Sequence, residues 1–253
     1  MAKERVVDLR SKFSLKNKTI LITGAARRIG RALSLACAHA GANIVLHYHD
    51  SEEQAAEVGR EIKKAGRQVW LIEGDLSEPE AVIELANRAS EAGPLFGLVN
   101  NAAIFGSQSF QATTRTDWER HLAVNLEAPF LLSQFFAAQV PPEGDGRIVN
   151  LLDWRALRPA GDHFAYTVSK AALAGMTQAL AAALAPRITV NGLALGAILP
   201  PSDHAAASDI LKNVPAGRWG GLPEVESALL FLLAGPAYIT GEVLHVDGGR
   251  HLI

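Results

Sequence analysis

Lys18 to Gly41 reads KTILITGAARRIGRALSLACAHAG. A short β-branched run ends at a glycine, a turn of small and basic residues follows, and an apolar helical pattern closes at Gly41. This is the grammar of strand, turn and helix. A glycine-bearing turn at that junction lets backbone N–H groups meet a pyrophosphate at a helix N-terminus. TGAARRIG is neither GxGxxG nor a Walker loop: Gly24 and Gly30 remain, with Arg28 between them. By itself the turn fits an ordinary βα connection as well as a nucleotide site.

The same alternation continues along the chain. ANIVLHY, QVWLIEGD, FGLVNNAA, GRIVNLLD, RITVNGLALG and GEVLHVDGG read as further strands. Between them lie helical stretches: SEEQAAEVGREIKKAG with Ser51 as N-cap, EPEAVIELANRASEAG, the long RTDWERHLAVNLEAPFLLSQFFAAQV, and YTVSKAALAGMTQALAAALA. Strands alternating with helices imply right-handed βαβ units, and continuously apolar strands imply burial on both faces. The expected class is α/β: one doubly wound Rossmann-type parallel sheet of about seven strands, with helices on both faces. No repeat or linker divides residues 1–253, so a single domain is expected, with a charged arm at 1–17 and a looser, Pro- and Gly-rich segment at 197–222.

Composition narrows the function classes. The 253 residues are 49% hydrophobic, enough for a sizeable core, and a net charge of -2 gives no basic face for nucleic acid. The lone Cys37 excludes a disulfide framework and reads as a small buried hydrophobe. The N-terminus lacks the apolar core of a signal peptide, and no apolar run reaches the roughly 18 residues of a membrane span. A soluble, cytoplasmic protein with a small-molecule substrate is expected. The histidines show no metal-ligand spacing, so no metal is expected.

Chemistry gathers at the strand ends, where open α/β sheets bind ligands. Asp75 ends the third strand, Asn101 and Ala102 the fourth, and Asp153 the fifth. At the second strand's end, LHYHDS has Tyr48 where NAD sites place an acid, while Arg27, Arg28, His49 and Ser51 could meet a 2′-phosphate. NADP(H) is therefore favoured over NAD(H). Asp50 is the dissenting charge, unless it faces away. Tyr166 and Lys170, at i and i+4, share a helix face, where a lysine would lower the phenol pKa and make the tyrosine a usable acid or base.

TGAARRIG, GDL, NNAA, VNL, YTVSK and the closing VDGG, in this order, resemble the short-chain dehydrogenases/reductases across Lys18 to Gly249. The resemblance implies Tyr166 as proton donor and Lys170 as the group that holds the nicotinamide ribose and tunes the tyrosine. It implies Asn125 as the helix-bending residue that holds a relay water. Gly24, Arg27, Arg28, Ile29 and Gly30 would line the pyrophosphate turn, and His49 and Ser51 the 2′-phosphate. Asp75 and Leu76 would contact adenine, Asn101 and Ala102 the ribose side, and Gly196 and Ile198 the nicotinamide. Leu195 stands where the usual proline precedes that glycine. The family also implies a homo-oligomer, usually a tetramer, packed through the helices beginning near Thr116 and Tyr166.

The family's serine, thirteen residues before the tyrosine, is Asp153 here. That substitution, with TGAARRIGR, LHYHDS, NNAAIF and VDGGRHL, resembles the pteridine and dihydromonapterin reductases. The branch implies Phe105 stacking on a pterin, and Arg28, Asp153 and Tyr166 contacting it. Phe105 could instead anchor its loop, and Arg28 could serve phosphate alone. Trp154 and Arg155 are expected to pack beside the site, and Trp219 to be structural. Asp50 and Ala103 depart from the trypanosomatid pteridine reductases, which carry an arginine and a polar residue there. Two other readings stay open: a reductase of another carbonyl, such as a 3-oxoacyl thioester, sugar or aldehyde, and a non-catalytic NADP(H) sensor.

Overall fold

A computed structural model describes residues 13–200 and 210–253. Most of the N-terminal arm (1–12) and the middle of the substrate-side segment (201–209) lie outside the described residues. The strands are β1 (Thr19–Ile22), β2 (Asn43–Tyr48), β3 (Val69–Glu73), β4 (Gly97–Asn100), β5 (Gly146–Asp153), β6 (Ile188–Leu195) and β7 (Val243–Val246). They form one parallel sheet in the order β3-β2-β1-β4-β5-β6-β7. The order reverses at β1 and β4, which opens a crevice beyond their carboxyl ends.

Alternation along each strand sends side chains to two cores. Ile20 and Ile22 of β1 pack with Leu33, Cys37, Val58, Ile62 and Leu229 on one face. Leu21 packs with Leu85, Leu132, Phe136 and Ile148 on the other. The first face is covered by α1 (Arg28–His39), α2 (Glu52–Lys64) and α7 (Leu222–Ala234). The second is covered by α3 (Pro79–Ser90) and α5 (Ala128–Gln139), while α6 (Phe164–Leu184) extends that layer toward β6. Ile20, Ile22 and Leu33 are fully buried, each worth roughly 2–3 kcal/mol of hydrophobic transfer. Cys37 is equally buried, and burial pushes its thiol up to about 12, so it serves as packing. No described helix is long and apolar enough to cross a membrane.

Two local expectations need correcting. The long helix before Pro141 is not continuous: α4 (Arg115–Leu122) passes through a π-helical turn, Ala123–Glu127, into α5. The wider turn carries Asn125 inward, where it is fully buried. Its Oδ1 accepts from the Ile104 N–H at 2.9 Å, and its Nδ2 donates to the Ile104 carbonyl at 3.1 Å and to Ser169 Oγ at 3.0 Å. Those bonds offset the disturbed ladder. Ser51 stands at the N-cap of α2, but its hydroxyl donates to Asp50 Oδ1 at 3.2 Å and caps nothing.

Candidate active site

A cleft of about 870 Å³ lies over the carboxyl ends of the strands. One end is built on the turn between β1 and α1. Gly24 has φ +59, and its N–H donates to His47 Nδ1 at 3.1 Å. His47 Nε2 pairs with the Gly74 carbonyl at 3.0 Å, so this buried ring joins the glycine turn to the end of β3. Burial lowers its pKa to about 4, which keeps it neutral. Asn101 secures the other side: its Nδ2 donates to the carbonyls of Thr23 (2.8 Å) and Gly24 (3.0 Å).

A Cβ at Gly30 would come 2.0 Å from the Gly24 carbonyl oxygen, so only glycine lets α1 start this close to the turn. Arg27, the N-cap of α1, makes no side-chain cap, and the first turn holds no acid. The helix N-terminus therefore presents its amides and positive dipole end to the cleft, a cradle that fits a pyrophosphate. Arg28, where many such turns carry glycine, adopts φ +49.

The basic side chains near the end of β2 face acids. Arg27 Nη2 lies 3.0 Å from Asp50 Oδ1, and His49 Nε2 lies 3.6 Å from Asp75 Oδ2. Asp50 does not face away: it lines the cleft, paired with Arg27. The Ser51 hydroxyl and then the Arg27 charge hold its carboxyl below the usual range. Asp75 closes a turn beyond β3 by accepting from the Ser77 N–H at 2.9 Å, and Leu76 beside it lines the cleft.

At the other end, Asp153 is the last residue of β5 and Tyr166 lies in the first turn of α6. Tyr166 Oη donates to Asp153 Oδ2 at 3.3 Å, and Asp153 Oδ1 accepts from the Arg155 N–H at 2.9 Å. The phenol is not lowered by its lysine. Burial, then the Asp153 carboxylate, push it well above the ordinary tyrosine value. Lys170 is fully buried; its Nζ donates to the Leu151 carbonyl at 2.7 Å and sits 6.0 Å from the centre of the Tyr166 ring. Burial lowers that ammonium to about 8, with Asp153 opposing the shift.

Gly24, Arg27, Arg28, Ile29, Gly30, His49, Ser51, Asp75, Leu76, Asn101, Ala102, Phe105, Asp153, Tyr166 and Gly196 all line the cleft. Asn125, Lys170 and Ile198 do not; they are buried behind its wall. Phe105 is 59% exposed, with one face stacked on His163 (4.2 Å between centroids) and its ring edge-to-face with Tyr166 (4.7 Å). Its other face is open to a flat ligand.

Trp154 and Arg155, expected to pack beside the site, and Trp219, expected to be structural, all line the cleft. The short 3-10 helix Trp154–Ala156 turns the first two back over the strand end. Arg155 pairs with Asp162 Oδ2 at 2.7 Å and with Asp153 Oδ1 at 3.5 Å. Sequence reasoning also missed His47, Arg120 and Arg250. Nothing in LHYHDS marked His47: residues two apart, such as His47 and His49, share a face along an extended strand, so alternation does not separate them.

A family model described as "Enoyl-(Acyl carrier protein) reductase" matches residues 24–251. A 3-oxoacyl-[acyl-carrier-protein] reductase FabG from Aggregatibacter actinomycetemcomitans is 35% identical, over 92% of this chain and 99% of its own. Among solved structures, FolM alternative dihydrofolate reductase 1 from Brucella canis, complexed with NADP, superposes with a TM-score of 0.87 at 35% identity, covering 94% of this chain and 95% of its own. A short chain dehydrogenase from Burkholderia cenocepacia J2315, also in complex with NADP, gives 0.88 at 36% identity, covering 93% and 98%. With the sheet order, the glycine turn and the Asp153–Tyr166–Lys170 group, these matches show that the chain belongs to the short-chain dehydrogenase/reductase family of oxidoreductases.

Proposed function

We propose that this oxidoreductase uses NADPH to reduce a pterin ring. The observation that carries the reading is the bond from Tyr166 Oη to Asp153 Oδ2 at the substrate end of the cleft. A carboxylate there repels a ketone oxygen that gains negative charge, but it can accept N–H donors from a pterin. The open face of Phe105 suits a flat ring. The NADP-bound FolM structure, whose name describes a dihydrofolate reductase, supports both cofactor and substrate class.

NADPH, when bound, supplies the hydride. The turn from Gly24 to Gly30 and the N-terminus of α1 would hold its pyrophosphate. Arg27, Arg28, His49 and Ser51 would hold the 2′-phosphate, Asp75 and Leu76 the adenine, and Asn101, Ala102, Gly196 and Ile198 the ribose and nicotinamide sides. Lys170 would hold the nicotinamide ribose. Tyr166, kept protonated by burial and by Asp153, donates its proton to the reduced ring. Asp153 anchors the ring's N–H groups and the tyrosine together. Asn125 fixes the Ile104 backbone next to Phe105, and so sets the wall against which the ring lies.

The test is NADPH oxidation with dihydrobiopterin and dihydromonapterin against a panel of ketones. Turnover of the pterins is expected, and Asp153→Ser should lower it about 100-fold while NADPH still binds. Unchanged pterin turnover in that variant would sink the assignment. A second reading, reduction of a carbonyl such as a 3-oxoacyl thioester, is favoured by the FabG relative. It predicts turnover of the ketone panel alone, with Asp153→Ser raising it.

A further inference from the structure

The segment after β7 is a built turn that ends in the cleft. Asp247, almost fully buried, accepts from the Gly249 N–H (2.9 Å), the His251 N–H (2.8 Å) and His251 Nδ1 (2.8 Å). Gly248 and Gly249 take φ +64 and +85, a reversal that side chains resist. A Cβ on Gly248 would meet Val214 Cγ1 at 2.8 Å, so the turn is pressed onto the segment that follows residue 209. This packing fixes Arg250, the first residue of the 3-10 helix Arg250–Leu252, and Arg250 lines the cleft.

Its guanidinium lies 4.4 Å from the centre of a Trp154 ring, and the Arg155 guanidinium lies 4.7 Å from a ring of the same indole. The two arginines differ in what else they meet. Arg155 is held by Asp162 and Asp153. Arg250 Nε is buried and has no hydrogen-bond partner among the described residues. Burial, followed by the Arg155 charge, disfavours its charged form. Asp153, Asp162 and Asp247 act in the opposite sense, but Asp153 is engaged by Tyr166 and Arg155, Asp162 by Arg155, and Asp247 by its own turn. A buried N–H without an acceptor carries a desolvation cost that an arriving acceptor recovers.

We infer that Arg250 is a substrate-binding residue that takes a carboxylate carried by the substrate away from the ring that receives the hydride. A guanidinium stacked on an indole and short of an acceptor matches a planar oxyanion through paired N–H bonds. Trp154 fixes the plane of that fork, and Arg155, already committed to Asp153 and Asp162, sets its charge environment. The inference rests on the reading of the Asp153–Tyr166 end as the substrate site, and it extends to any ring that carries such a group.

The experiment compares two substrates that share a reducible pterin and differ in an anionic tail, dihydrofolate and dihydrobiopterin. In Arg250→Gln the preference for dihydrofolate, as the ratio of kcat/KM values, should fall about 10-fold or more, and Arg250→Lys should restore part of it. A ratio unchanged within about twofold in Arg250→Gln overturns the inference. Should the wild-type protein reduce neither substrate, the pterin reading fails. The carboxylate site is then read by calorimetric titration of N-(4-aminobenzoyl)-L-glutamate into the NADP+ complex. Binding that Arg250→Gln weakens about 10-fold supports the site, and absence of wild-type binding overturns it.

Discussion

Arg27 Nη2 lies 3.0 Å from Asp50 Oδ1 at the adenosine end of the cleft, so the cation best placed for a 2′-phosphate already has an acid beside it. Both side chains are more than half exposed. A pair that open to solvent is worth at most about 1 kcal/mol, so a phosphate can draw Arg27 away at little cost. Asp50 still opposes the phosphate through space.

Asp50→Asn should therefore tighten NADPH binding about 3- to 10-fold at low ionic strength and leave NADH binding nearly unchanged, with the gain shrinking as salt is added. Fluorescence titration of both nucleotides at two salt concentrations checks it. Equal gains for the two would mean that Asp50 acts on the adenosine ribose rather than on the phosphate.

Lys170 gives a pH signature. Its folded-state value is lowered from 10.5 to about 8, chiefly by burial. Between those values the unfolded chain binds more protons than the folded one, so stability rises with pH there. Below about 8 the buried ammonium carries its full burden, at most about 3 kcal/mol. Tyr166 works in the opposite direction at higher pH: its raised phenol value lends stability below the ordinary tyrosine range, lost as pH climbs through the folded value. In denaturant titrations from pH 7 to 10, the wild-type protein should gain stability relative to Lys170→Met, which lacks the first group. A flat difference between the two would show that Lys170 is not a buried cation.

Much of this was legible because strand and helix periodicities are local. The β-branched run at Thr19–Ile22, the Gly24 turn and the following helix fix a βα unit, and the repetition of that unit fixes a parallel sheet. Asp153 and Tyr166 could be placed at one edge for the same reason. What stayed hidden depends on side chains meeting across the sheet. The pairing of Arg27 with Asp50 joins residues 23 positions apart, and nothing in LHYHDS tells which way Asp50 points. The π-helical turn at Asn125 adds about one residue to one turn, too little to break an apolar pattern read over 26 residues. Arg250 was read only as part of a terminal motif, because its entry into the cleft requires the β6–β7 pairing and the glycine reversal behind it.

His47 is the clearest such case, and it carries the last prediction. Its Nδ1 accepts from Gly24 and its Nε2 donates to the Gly74 carbonyl, so both ring nitrogens are used and only one neutral tautomer satisfies both. A second proton would place an N–H against the Gly24 N–H and open the turn that is to cradle pyrophosphate. Its folded-state value of about 4, against 6.5 for a free histidine, means that the unfolded chain takes up the proton first as pH falls. The contribution is fully present above about 6.5 and is lost progressively down to about 4, roughly 3 kcal/mol in all. His47→Phe fills the space without the clamp. It should weaken NADPH binding about 10-fold or more at neutral pH through loss of turn geometry, and it should remove most of the stability loss between pH 6.5 and 4. His47→Gln, which can still accept from Gly24, should recover part of the affinity but none of the pH dependence. If His47→Phe binds NADPH as the wild-type protein does, the ring is packing alone. An acid limb retained in both variants would trace that loss to carboxylates such as Asp247, whose folded-state value is also depressed.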